Sequence, residues 1–339
     1  MRKTRLYAFI TVVIILTILT TLTTTSAVAK FRFAVMADSR KSKDEPVNIE
    51  DFQKVLAQLK KVRPQPQFVF FPGDLVRGMD TSYSGMTNQY TIWKNTVTAY
   101  YPITFFFPSV GNHETYNGDT NSQAERAFAD IFPDFKVTEE LPGYNRTVYY
   151  LDYDNSRLFM LNTNHIGANH RIDTLQQEWL AKNLNQKQHD LIFLHEPAYP
   201  TSSHIGSSLD VKSTERDAFW KIIDTANVSL VFVGHEHYYA RRHIDKVFNP
   251  EYKNNIYQVT TGSCGAPLYT AIAINMLNKL DANKRFLCTT NIDVDPISEY
   301  HFAIVDVVGK RVTTTVYNVK GKLIDRFVVY RPDKKGKSK

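Results

Sequence analysis

Five apolar runs in this chain each end in residues that can bind a metal ion or carry a proton. The runs are FAVMAD, FVFFPGD, TFFFPSVGNHE, DLIFLHE and SLVFVGHEH, and they end at Asp38, Asp74, Asn112-His113-Glu114, His195 and His235-Glu236-His237. Short apolar runs separated by helical patterns are typical of the buried strands of an α/β sheet. Ligands bind at the carboxyl edge of such sheets. The spacing therefore predicts an α/β fold with one site at that edge.

The rest of the pattern sets the element order. A helical period over 49–62 stops before Pro64, and another spans about 214–225. Asp173 is placed to cap a helix that turns Leu175 and Trp179 inward. Two strands flank an Asp154-Asn155 turn, and the pattern after 299 is purely strand. These elements predict one domain over 30–330, whose sheet gains antiparallel strands toward the C-terminus.

The two ends are predicted to lie outside that domain. Residues 1–29 begin with positive charges, continue as an apolar run and finish at Ala27-Val28-Ala29, which is the pattern of a secretory signal peptide. We expect export to the periplasm or the extracellular space, with a mature start at Lys30. An uncleaved membrane anchor is the alternative, and it is the only route to a membrane that the sequence offers. Residues 331–339 form a basic tail predicted to be disordered.

Charge and cysteine content limit the function classes. The formal charge of +7 resides mostly in the two ends, so residues 30–330 are near neutral and no nucleic-acid partner is indicated. The oligomeric state stays open. The two cysteines, Cys264 and Cys288, could pair in an exported protein or remain free. Neither lies among the candidate ligands, which excludes a thiolate zinc finger or an iron–sulfur centre.

The candidate ligands have the chemistry of a two-ion site. Two neighbouring divalent ions need a bridging carboxylate with further oxygen and imidazole donors. Asp and Asn supply oxygen, and neutral His supplies nitrogen, a set that suits Mn, Zn or Fe. His235 and His237 lie in the turn after a strand, where their side chains can diverge toward separate ions.

The order of these motifs resembles the calcineurin-like metallophosphoesterases over residues 31 to about 269. "FLHEPAY" around His195 and "GHEHYYAR" after Gly234 are most similar to the purple acid phosphatase branch. The resemblance implies a four-layer αββα sandwich of two mixed β-sheets flanked by helices, the metallo-dependent phosphatase fold. It also implies hydrolysis of phosphate esters by a hydroxide that bridges the two metal ions.

The resemblance assigns each candidate residue a role. Asp74 would bridge the ions; Asp38 and His237 complete the first metal position, and Asn112, His195 and His235 complete the second. His113 would act beside the scissile phosphate, and Glu114 would orient it.

Two departures from the family pattern concern arginines. Arg40 stands where many relatives carry a histidine ligand, and Arg77 stands where the purple enzymes carry the tyrosine that binds ferric iron. The first metal position thus keeps three protein ligands, which water or Asn48 could complete, and no purple colour is expected. Arg40 is expected to contact phosphate or a ligand, and we include it among the catalytic candidates. Arg77 either contacts phosphate or points to solvent.

Three functions are compatible with this pattern. The first is an exported metal-dependent phosphatase acting on monoesters such as nucleotides or small organic phosphates. The second is a phosphodiesterase or phospholipid hydrolase of the same fold. The third is a catalytically weakened phosphate-binding protein with an incomplete first metal position. Retention of His113, which contributes little to folding, favours an enzyme.

Overall fold

A computed structural model of the chain describes residues 30–42, 44–115, 122–270 and 279–332. Two large mixed sheets dominate it. The first has the strand order β16-β15-β14-β1-β2-β3, and the second has the order β13-β11-β12-β10-β9-β6-β5-β4. A short hairpin, β7-β8, stands apart. In chain order the strands β1 to β16 are Lys30–Val35, Val69–Pro72, Phe106–Ser109, Glu139–Glu140, Tyr149–Tyr153, Ser156–Met160, Asn164–His165, Ala168–Asn169, His189–Leu194, Leu230–Val233, Tyr239–Ile244, Ile256–Thr261, Ile292–Ile297, His301–Val308, Arg311–Asn318 and Leu323–Tyr330.

Helices cover the outer faces of both sheets. The described α-helices, α1 to α7, are Ile49–Leu59, Tyr83–Thr98, Asn112–Thr115, Ser122–Ile131, Thr174–Asn183, Ser213–Thr225 and Ala282–Thr289. Short 3-10 helices occupy Ile103–Phe105 and Leu209–Lys212.

Neighbouring residues of β2 show how the layers pack, because successive side chains of a strand point to opposite faces. Phe70 stacks on Phe193 of the second sheet at 4.2 Å between ring centroids. Phe71 points the other way, against Phe52 of α1 and Trp93 of α2. On the far side, Trp179 of α5 packs edge-on against Phe159 of β6. The order helix, sheet, sheet, helix is the predicted four-layer αββα sandwich.

The predicted antiparallel strands are also present. β14 pairs antiparallel with β1, while β1, β2 and β3 run parallel. The hairpin around Asp154-Asn155 is β5 and β6, and Asp173 caps α5 by accepting a hydrogen bond from the Gln176 amide. The prediction for Leu175 was wrong: its side chain is 63% exposed, because the inward face of α5 carries Gln176, Trp179 and Leu180 instead.

Several expectations for the termini are not tested by the fold. The predicted signal peptide, residues 1–29, and most of the predicted basic tail lie outside the described residues. Within the described part of the chain, no helix is both long and apolar enough to cross a bilayer. The cysteine alternatives are resolved: Cys264 is buried, Cys288 is half-buried, and both are free thiols.

Candidate metal centre

The predicted site residues meet at the carboxyl ends of five strands, β1, β2 and β3 of one sheet and β9 and β10 of the other. Three of them, Asp38, Asp74 and His235, have positive backbone φ angles of 62°, 51° and 70°. Such values are uncommon for residues other than glycine and persist only where the surroundings impose them. The turn after each strand therefore bends its side chain into a common centre rather than along the strand.

Glycines of the motifs make room for the carboxylates. A Cβ atom added at Gly111 would clash with Oδ1 of Asp74, and one added at Gly234 would clash with Oδ2 of Asp38. The Gly-Asn-His and Gly-His sequences thus serve close approach, because a larger residue at either position would displace a carboxylate from the centre.

The second metal position has three electron-rich atoms facing one another. Nδ1 of His195 lies 3.0 Å from the Pro72 carbonyl, which can only accept, so this nitrogen carries the proton. Nε2 of His195 then presents its lone pair to Oδ1 of Asn112 at 3.0 Å and to Oδ1 of Asp74 at 3.2 Å. A divalent cation placed between these three atoms could accept a lone pair from each of them. The residues fit a metal ion.

His235 is suited to complete this position. Its Nε2 lies 2.9 Å from the Ser207 carbonyl, which leaves Nδ1 as the free lone pair, and its ring centroid is 5.0 Å from that of His195. Burial lowers the pKa of His235 well below its ordinary value, so the imidazole is neutral and can act as a ligand.

At the first metal position, ligand atoms of Asp38, Asp74 and His237 lie within 4.8 Å of one another. Both oxygens of Asp38 accept the backbone N–H of His235, at 3.1 and 3.0 Å. Burial, together with the negative charge of Asp74, raises the pKa of Asp38 well above its ordinary value. Two buried carboxylates so close together need positive charge nearby.

Arg40 supplies part of that charge. Its Nε donates to Oδ2 of Asp74 at 3.0 Å, and its Nη2 lies 3.4 Å from Nε2 of His237. Burial opposes the charge, but Asp74, Tyr269 and Asp38 raise the pKa of Arg40 above its ordinary value. Asn48 lies elsewhere: its side chain caps α1 and donates to the Gly265 carbonyl, so it does not complete the first metal position.

His113 lies beside Asp74 and contacts Arg77. The backbone N–H of His113 donates to Oδ1 of Asp74 at 3.2 Å. Its Nδ1 is 2.9 Å from Nη1 of Arg77 and 3.0 Å from the carbonyl of the same arginine. Burial lowers the pKa of His113 to about 4, so the ring is neutral near pH 7. Of the two alternatives for Arg77, the structure therefore does not support a side chain that merely points to solvent.

The contacts of Glu114 differ from those expected of a residue that orients the His113 ring. Its carboxylate accepts the backbone N–H groups of Asp74, Val76 and Gly111, at 3.0, 2.8 and 2.6 Å. The physical reason is that these amides follow strand ends and would otherwise be buried without partners. Glu114 thus joins the turns after β2 and β3 through three backbone N–H groups.

Two further residues line the centre. Tyr269 accepts a hydrogen bond from Nη2 of Arg40 at 3.1 Å and stacks on His237 at 4.0 Å between ring centroids. The ring of His204 lies 3.8 Å from that of His235 between centroids, tilted by 33°, and its buried Nε2 has no hydrogen-bond partner among the described residues. The sequence signalled both weakly, through a Gly-rich turn at 260–270 and a Ser-rich loop at 198–213.

Two mixed sheets between helices, with Asp, Asn and His side chains at the strand ends, define a metal-dependent phosphoester hydrolase. Residues 31–239 match the family model described as calcineurin-like phosphoesterase. The chain belongs to the calcineurin-like phosphoesterase family, as its motifs predicted. Tyr269 lies outside the matched residues. The amino-acid sequence matches no curated protein.

Solved structures share the fold at low sequence identity. A purple acid phosphatase from yellow lupin (Lupinus luteus) seeds has 16% identity and a TM-score of 0.64; the match covers 90% of this chain and 54% of that chain. GAP50, the anchor in the inner membrane complex of Plasmodium, has 13% identity, 90% coverage of both chains and a TM-score of 0.63. A dimetal phosphatase from Danio rerio has 13% identity, coverage of 89% and 99%, and a TM-score of 0.58. The chain spans about half the length of the lupin enzyme.

Proposed function

We propose that the chain is an exported phosphatase that hydrolyses phosphate monoesters with a divalent ion held at the second metal position. The observation that carries this proposal is the convergence of Asp74, Asn112 and His195 on one point, with His113 beside Asp74. Asp74, Asn112 and His195 would hold the ion, which when bound would supply Lewis-acid chemistry toward a phosphoryl oxygen and a water molecule. No covalent nucleophile is required from the protein.

The role of His113 follows from its hydrogen bonds. The guanidinium of Arg77 can only donate, so its contact with Nδ1 favours the tautomer that carries the proton on Nε2. The Arg77 carbonyl favours the opposite tautomer, and the two contacts together hold the ring in one orientation. In the first tautomer, Nε2–H can donate to a phosphoryl or leaving-group oxygen. We assign this donor role to His113.

The charges around the centre favour a monoester over a diester. Arg40 and Arg77 are close enough that the charge of Arg40, together with burial, lowers the pKa of Arg77. Two guanidinium groups beside one ion match the second negative charge that a phosphomonoester carries near neutral pH and a diester lacks. The substrate class inferred from these charges is a small phosphomonoester.

This preference predicts a difference between two model substrates. With Mn²⁺, Zn²⁺ or Fe²⁺ bound, kcat/KM for p-nitrophenyl phosphate should exceed that for bis-p-nitrophenyl phosphate by about tenfold or more. Arg77→Met should lower the monoester value about tenfold, through the loss of one charged hydrogen bond, and change the diester value less. A preference for the diester would favour the phosphodiesterase alternative. If neither ester is hydrolysed while metal is confirmed in the protein, the result would favour the third alternative, a catalytically weakened phosphate-binding protein.

Export is proposed from the N-terminal pattern. Cleavage after Ala29 should leave a mature chain that begins at Lys30, the first residue of β1. Expression of the full sequence in a bacterial host, followed by N-terminal sequencing of the periplasmic fraction, measures this directly. Recovery of the intact chain with the membranes would instead support the uncleaved anchor.

A further inference from the structure

The side chain of Arg40 lies within the first metal position rather than at its rim. It follows Asp38 by two residues, its side chain reaches back toward Asp74 and His237, and only 9% of the residue is exposed. Its backbone is fixed as well, by an isolated antiparallel bridge to Val47. Both the backbone and the side-chain contacts therefore hold the guanidinium inside the centre.

Arg40 already uses the lone pairs that a first ion would need. Nδ1 of His237 lies 2.7 Å from the Pro267 carbonyl, so this nitrogen carries the proton and Nε2 carries the lone pair. That lone pair faces Nη2 of Arg40 at 3.4 Å. Oδ2 of Asp74 accepts from Nε of the same guanidinium. Two of the three ligands at this position are thus engaged by one cation, and the residues do not fit an additional metal ion there.

Asp74 keeps the geometry of a bridging carboxylate. Its Oδ1 lies 3.2 Å from Nε2 of His195, at the second metal position, while its Oδ2 lies 3.0 Å from Nε of Arg40. One oxygen serves each position, as in a two-ion centre, but the partner of Oδ2 is a guanidinium.

Tyr269 holds the guanidinium in place. Its hydroxyl accepts from Nη2 of Arg40, and its ring stacks on His237 at an interplanar angle of 14°. Its backbone N–H donates to the His237 carbonyl at 3.1 Å, which connects the Gly-rich turn at 260–270 to the turn that carries His235 and His237. The same residue thus supports both Arg40 and its imidazole partner.

We propose that the guanidinium of Arg40 takes the place of the first ion, so that the chain binds a single divalent ion, at the second metal position. The inference rests on the proposed function only in using that position. The fixed cation balances the buried carboxylates whether or not metal is present, and it places N–H donors where the first ion of a two-ion centre would stand.

The test is a metal count on the purified, folded chain after exposure to excess Mn²⁺ and removal of unbound metal. The wild-type chain should retain about one ion, and Arg40→His, which restores an imidazole in place of the guanidinium, should retain about two. Arg326→His is the matched control: it adds a histidine at an exposed position of the edge strand β16 while leaving Arg40 in place, and it should still retain about one ion.

The outcomes separate the inference from the proposed function, because an ion count does not depend on turnover. Two ions on the wild-type chain would overturn the inference, and so would an Arg40→His chain that gains none. If that variant does not fold, electron paramagnetic resonance of the Mn²⁺-loaded wild-type chain distinguishes one bound ion from two. Isolated Mn²⁺ gives an uncoupled six-line spectrum, which supports the inference, whereas an exchange-coupled pair would refute it.

Discussion

Replacing His113 with alanine is expected to lower kcat for phosphomonoesters by a factor of about 10²–10⁴, the usual contribution of a positioned proton donor. The ring lies beside Asp74, is held by Arg77 and is kept neutral by burial. Alanine removes the Nε2–H donor and leaves the backbone N–H that contacts Asp74. Steady-state kinetics on the metal-loaded variant measure the loss.

The choice of leaving group distinguishes the two possible uses of the His113 proton. p-Nitrophenolate leaves readily without protonation, whereas the alkoxide of an alkyl phosphate does not. If His113 protonates the leaving oxygen, His113→Ala should slow an alkyl phosphate much more than p-nitrophenyl phosphate. Equal losses would assign the proton to a phosphoryl oxygen in the transition state. Loss of bound metal from the variant would contradict both uses, because it would make His113 a ligand.

Asp74→Asn is expected to remove both metal binding and activity, with a loss of at least about 10³-fold in kcat/KM. The amide has the shape of the carboxylate but lacks its charge. It would present one oxygen where the structure needs two, one facing His195 and one facing Arg40. Metal content and hydrolysis should therefore fall together.

A matched surface substitution controls for the loss of a negative charge. Asp134→Asn removes a half-exposed carboxylate that pairs with Lys94 at 2.9 Å, and surface pairs of this kind contribute little. Metal content and kcat/KM of Asp134→Asn should equal those of the wild-type chain. An Asp74→Asn chain that kept its ion and its activity would show that the centre lies elsewhere.

The convergence of the ligands could be predicted because it follows from a local rule. Each candidate stands directly after a buried strand, and parallel strands bring those positions to one edge. Asp74 and His235, which take positive φ angles, each follow a glycine, the residue that most readily lets the backbone turn. The sequence thus located the site without showing which atoms face one another.

Contacts between distant segments could not be predicted in this way. Arg40 and Tyr269 are 229 residues apart and meet only because the turn after β12 folds over the end of β1. The contact of Arg77 with His113 depends likewise on how the turns after β2 and β3 pack. No local pattern specifies either pair, so the position of Arg40 relative to the ligands required the structure.

A weak local signal explains why one helix was not predicted from the sequence. The helix α2, Tyr83–Thr98, includes a glycine and several threonines, which are poor helix formers, and it was not predicted. Tertiary packing stabilises it instead, through the buried Tyr90 and Trp93. The predicted burial of Leu175 was wrong because the local signal was misleading. Its apolar side chain in the first turn of α5 suggested burial, but Gln176 takes the inward position and forms hydrogen bonds with the backbone of Asn162.

The most direct test of a metal-dependent phosphatase centred on Asp74 is one titration. Chelator-treated, folded chain is supplied with increasing Mn²⁺ while the hydrolysis of p-nitrophenyl phosphate is followed. Activity should be absent without metal and should rise to a plateau as the second metal position fills, and Asp74→Asn should stay at the baseline throughout. Hydrolysis that persists in the chelated chain, or that Asp74→Asn retains, would show that the activity does not depend on a metal ion held by Asp74.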